Sequence, residues 1–102
     1  MAEEILFVDD EDFILDIVKA IFEHDGIPIL TAKNAEEALK LVRTREIAVI
    51  VSDHHMPGMM GLELLSRVKA ISPDTVKILM TGFADLDTAM EAINRAEVFR
   101  FV

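Results

Sequence analysis

The chain contains no cysteine. That removes disulfides, thiol nucleophiles and thiolate metal sites, and it fits a cytoplasmic protein. Basic residues are scarce: ten Lys and Arg stand against nineteen Asp and Glu, for a formal charge of −9. DNA affinity rests largely on neutralising phosphates with Lys and Arg, so no direct nucleic-acid binding is expected. Long hydrophobic runs are missing too. The longest are strand-sized, such as Ile47-Ala48-Val49-Ile50-Val51, against the roughly 20 residues needed to cross a bilayer. Met1-Ala2-Glu3-Glu4 lacks the basic n-region of a secretory signal. Internal repeats and low-complexity segments are absent as well.

What is present is a core and an alternation. With 52% apolar residues in 102, the chain can build one domain and has no room for two. Ile5-Leu6-Phe7-Val8 is an apolar run ending in Asp9-Asp10. Ile14, Ile17, Val18, Ile21 and Phe22 then recur at helical spacing, closed by Gly26. Ile27-Pro28-Ile29-Leu30 is the second strand candidate, and its proline belongs on a sheet edge. Asn34 with Glu37 resembles a capping box ahead of the buried stripe Ala35, Ala38, Leu39 and Val42. Residues 47–51 are apolar throughout, as in a strand covered on both faces. Met56-Pro57-Gly58 makes a loop, and Leu64, Leu65, Val68 and Ile71 mark a third helix. Val76 to Met80 is a fourth strand. Asp85 can cap a fourth helix with Leu86, Ala89, Met90 and Ile93 inward, and a fifth strand is expected from Val98.

The pattern β-α-β-α-β-α-β-α-β predicts an α/β, flavodoxin-like doubly wound parallel sheet. With Pro28 on an edge, the strand order is 2-1-3-4-5. Ligands of such sheets bind at the carboxyl ends of the strands flanking the order reversal, here strands one and three. Asp9 and Asp10 follow strand one, and Asp53 ends strand three. Singly, each acidic residue has a plain explanation as a cap, a turn former or a favourable charge at a helix start. Jointly they converge on the crevice where the fold binds its ligand. Crowded carboxylates repel one another, and a divalent cation resolves the conflict. All-oxygen ligands point to Mg²⁺ or Mn²⁺. A carboxylate beside such an ion can act as a nucleophile towards a phosphoryl group. Thr81 at the end of strand four can offer a hydroxyl to the phosphoryl oxygens, with Gly82 leaving space beside it.

Leu6-Phe7-Val8-Asp9-Asp10-Glu11, Val51-Ser52-Asp53-His54-His55-Met56-Pro57-Gly58-Met59 and Ile78-Leu79-Met80-Thr81-Gly82 together resemble the receiver domains of bacterial two-component response regulators. The resemblance implies a phosphorylation-dependent switch rather than an enzyme. In it Asp53 is the phosphoacceptor and a metal ligand, Asp10 a direct metal ligand, and Asp9 a ligand mainly through water. The backbone carbonyl of His55 completes the protein ligands. Thr81 contacts the phosphoryl group, and Phe101 is the switch aromatic that follows it. Implied partners are a sensor histidine kinase or phosphotransfer protein, and an output domain or downstream partner on the face of helix four and strand five.

The sequence departs from the family pattern at three places. Met60 stands where an acidic residue is frequent. His54 and His55 follow the phosphoacceptor; side chains leaving a strand alternate in direction, so a shared histidine metal site is not expected and both should face solvent. The family's lysine and closing helix would fall beyond Val102. Helix one would then cover only half of its sheet face, so residues 1–102 alone are not expected to be a stable monomer: either the molecule continues beyond Val102, or a second copy covers the bare face by packing or exchange. Two rival functions share parts of the pattern. A flavodoxin-like FMN module would need phosphate contacts where Asp9-Asp10-Glu11-Asp12 stands. A dehalogenase-type phosphatase would use Asp10 and Asp12 but lacks the Gly-Thr that should follow.

Overall fold

The computed structural model describes residues 3–80 and 100–101. Among the described residues eight elements follow in order: β1 (Glu4–Val8), α1 (Asp12–His24), β2 (Ile29–Ala32), α2 (Ala35–Thr44), β3 (Ile47–Asp53), α3 (Gly61–Ile71), β4 (Val76–Met80) and β5 (Arg100–Phe101). The strands form one parallel sheet in the order β2-β1-β3-β4-β5. Parallel neighbours require crossovers, and the helices supply them. The helix expected from Asp85 lies outside the described residues.

Alternation along the strands sorts side chains to two faces. Leu6, Val8, Ala32, Ile50 and Leu79 point to one face, where they pack with Ala38, Leu39 and Val42 of α2 and Leu64, Leu65 and Val68 of α3. This is the main core, and it explains why β1 and β3 are apolar at nearly every position. α1 covers the other face through Leu15 and Phe22, whose ring lies 5.6 Å from that of Phe7. The expected start of α2 is found as read. Asn34 Oδ1 accepts from Glu37 N at 2.9 Å, and Asn34 Nδ2 donates to Glu37 Oε2 at 3.1 Å. Ala35, Ala38, Leu39 and Val42 are all buried.

One expectation is corrected. The second strand runs from Ile29 to Ala32, two residues later than the apolar run suggested. Proline offers no N–H to a ladder, so Ile27 and Pro28 stay outside the strand and exposed; the strand is nevertheless at the sheet edge. Ile17 and Ile21 are 48% and 56% exposed, next to Phe13 at 59%. They carry helical periodicity, but among the described elements no second helix packs beside α1 on its face. Ile71 closes α3, as its spacing suggested, and is exposed there.

Candidate functional site

Strand register builds the site. Phe7 pairs with Val51 and Val8 with Ser52, so the residue after β1, Asp9, stands beside Asp53 at the end of β3. Both continue the same pleat parity and leave the sheet on the same side. Asp9 is anchored twice: its N–H donates to Ala32 O at 3.1 Å, and its Oδ1 accepts from Glu11 N at 3.0 Å. The second bond turns the chain from β1 into α1 and sets Asp10 above the strand end. Asp9, Asp10 and Asp53 thereby bring one carboxylate oxygen each to within 4.8 Å of one another. The sequence predicted these three residues together, and the structure brings them together.

Burial decides the electrostatics. Asp9 is 9% exposed, Asp53 half-buried and Asp10 exposed. Burial pushes the Asp9 carboxyl above its ordinary range; the Glu11 N–H opposes that shift, and the charges of Asp53, Asp10 and Glu11 add to it. A hard divalent cation fits this donor set, which is all oxygen, doubly anionic or more, and open on the Asp10 side. Asp12 does not join the cluster. It is exposed and pairs with Lys33 at 3.0 Å, so the Asp10–Asp12 spacing of a dehalogenase-type phosphatase is not used.

The histidines differ from expectation. Alternation predicts that neighbouring side chains diverge, yet the His54 and His55 rings meet edge to face with centroids 5.0 Å apart. The reason is that β3 ends at Asp53 and the backbone bends at His54. His55 is exposed, as expected. His54 is half-buried instead, and its Nδ1 accepts from Leu62 N at 3.4 Å. Among the described residues neither imidazole belongs to a metal-competent cluster. Thr81 lies outside the described residues. Phe101 is placed by its backbone alone, paired with Leu79 in β5.

Gly61 has a role that sequence reasoning missed. A Cβ there would overlap the carbonyl oxygen of Asp53 and stand 2.9 Å from His54 Cα. The first turn of α3 therefore lies directly against the backbone of Asp53. Gly61 follows a Pro-Gly loop, where a glycine reads as one more loop residue; only the close approach in three dimensions reveals the constraint.

The family model for the response regulator receiver domain matches residues 5–102. The chain belongs to that family. This receiver domain is 34% identical to sporulation initiation phosphotransferase F of Bacillus subtilis over 92 residues, 90% of this chain and 74% of that protein. It is 37% identical over 93 residues to the transcriptional regulatory protein YesN of Bacillus subtilis, covering 88% of this chain. The chain spans only 25% of the length of that second relative. Among solved structures, the signal receiver domain of an HD domain-containing protein from Pseudomonas fluorescens Pf-5 superposes with a TM-score of 0.92 at 34% identity, covering 100% of this chain and 82% of that one. The receiver is a phosphorylation-dependent signalling domain of the two-component type, and its acidic pocket is of the kind that binds Mg²⁺ in this family. Receiver domains take phosphate from histidine kinases and act on output domains. No helix among the described residues is long and apolar enough to cross a membrane.

Proposed function

We propose that Asp53 accepts a phosphoryl group from a phosphohistidine on a sensor kinase or phosphotransfer protein. The observation that carries this is the meeting of the Asp9, Asp10 and Asp53 oxygens within 4.8 Å where the strand order reverses. Asp10 and Asp53 would hold Mg²⁺ directly and Asp9 mainly through water, with the His55 carbonyl completing the protein ligands. When bound, the ion neutralises the carboxylates and the oxygens of the incoming group. An oxygen of Asp53 forms the new P–O bond as the donor's P–N bond breaks, and the imidazole of the donor leaves. Thr81 then hydrogen-bonds a phosphoryl oxygen, and Phe101 follows it. The change reaches an output domain or partner through the surface after β4 and around β5. The only chemistry the domain performs is on its own carboxylate, in phosphotransfer and later hydrolysis. We set the reaction in the cytoplasm, which a chain without cysteine fits.

Beryllofluoride with Mg²⁺ tests the site without a kinase. It should shift the amide resonances of Asp53 and Thr81 in the wild-type protein and leave those of Asp53→Asn unmoved. Equal shifts in both proteins would remove Asp53 from the role.

A further inference from the structure

α3 begins without a cap of its own. Its N-cap position is Met60, whose side chain makes no capping hydrogen bond, and every helix start leaves N–H groups with no partner inside the helix. Two of these are taken by a single residue outside the helix. Gly61 N donates to His54 O at 2.9 Å, and Leu62 N donates to His54 Nδ1 at 3.4 Å. On the opposite side, His54 N donates to Met80 O at 2.9 Å, which extends the β3–β4 ladder past the Asp53–Met80 pair. His54 therefore ties the backbone leaving β3 both to α3 and to β4. Edge contact with the His55 ring at 5.0 Å restricts its rotamer further.

We propose that His54 is a positioning residue for the phosphoryl site. Its imidazole caps α3 and so fixes the backbone that carries the Asp53 carboxylate and the His55 carbonyl. The proposal rests on Asp53 as phosphoacceptor. A functional constellation must be held to within about 0.5 Å by neighbours whose own rotamers are locked. The loop from His54 to Met60 is irregular and passes through Gly58 at φ +86°; Met56 pins its middle to the core, and the ties made by His54 fix its start beside Asp53. Contact of Gly61 with the Asp53 carbonyl makes the coupling short: a shift of the first turn of α3 moves Asp53 directly.

The test uses the full-length protein and the pair His54→Ala and His54→Asn. Asparagine sets an acceptor oxygen where Nδ1 stands, so it keeps the cap. In His54→Ala the Leu62 amide should exchange about fivefold faster, the loss of one cap. Mg²⁺ affinity, read by NMR titration with no phosphodonor present, should fall on the order of tenfold. In His54→Asn both should return to wild-type values. Unchanged Mg²⁺ affinity in His54→Ala, or equal impairment in the two variants, would overturn the proposal. If His54→Ala does not fold, His54→Asn still decides. Retained Leu62 protection with wild-type Mg²⁺ affinity supports the cap; lost protection with wild-type affinity overturns it. Asp53→Asn separates the two claims. It should lose phosphate uptake and keep Leu62 protection, so a wrong phosphoacceptor shows in that variant and a wrong cap in the His54 pair.

Discussion

Replacing Asp9 by Asn should stabilise the metal-free protein at neutral pH. Asp9 is the most buried member of a cluster whose oxygens lie within 4.8 Å of one another. At that separation each like-charge pair costs about 0.9 kcal/mol in bulk water and about 3.5 kcal/mol at an effective dielectric near 20. Asp9 takes part in two such pairs, but Asp10 is exposed and the carboxylates can swing apart, so the lower part of the range applies. The gain should be about 1–3 kcal/mol. Asparagine retains the acceptor for Glu11 N, so the turn into α1 survives. The pH dependence follows from the upward shift of the Asp9 carboxyl, caused first by its burial. Native protein binds the Asp9 proton more tightly than unfolded protein does. That stabilisation is fully present below the ordinary aspartate pKa of about 4, and it is lost as pH rises through the raised native value. The wild type should therefore lose stability across that window, and Asp9→Asn should lose less. Urea unfolding in EDTA at low salt measures both. Mg²⁺ should then stabilise the wild type more than the variant, because it relieves a repulsion that the variant no longer has. An Asp9→Asn protein no more stable than wild type in EDTA at pH 7 would refute the crowding argument.

In a Mg²⁺ titration, Asp10→Ala should lose more affinity than Asp9→Ala, since a direct ligand contributes more than one acting through water; equal losses would reverse the assignment. Gly61→Ala should cost about 1–3 kcal/mol of stability, because the added methyl meets the backbone of Asp53 and His54 rather than a flexible side chain. Weakened Mg²⁺ binding should accompany it, and calorimetry with and without Mg²⁺ checks both effects. Asn34→Ala should cost about 1 kcal/mol by removing the acceptor for Glu37 N, with no effect on Mg²⁺ affinity. A shift in that affinity would mean that α2 is coupled to the site.

The fold was legible where hydrophobic period and punctuation agreed. The continuous apolar run of β3, the Asn34–Glu37 cap and the stripe of α2 each had one interpretation, and the structure matches them. β2 was misplaced because apolar content pulled the strand towards Ile27, whereas the ladder begins after the proline. Ile17 and Ile21 lie in α1 as their spacing suggested, yet are exposed. Periodicity reports the face a helix is built to bury, and exposure depends on which neighbours are there to cover it. For the site, Asp9, Asp10 and Asp53 could be read from strand ends and sheet order, because parallel register carries those ends to one edge. His54 and Gly61 could not. Their roles depend on the backbone bend after Asp53 and on how closely α3 approaches it, and neither has a residue spacing that announces it.

Locating the phosphoryl group tests the central claim most directly. The full-length protein is incubated with Mg²⁺ and a small acyl phosphate, the acyl phosphate on the protein is trapped by borohydride reduction, and the modified peptide is sequenced by mass spectrometry. The account predicts a single modified residue, Asp53, no modification in EDTA and none in Asp53→Asn. Modification at Asp9 or Asp10 in the wild type, or an undiminished yield from Asp53→Asn, would contradict it.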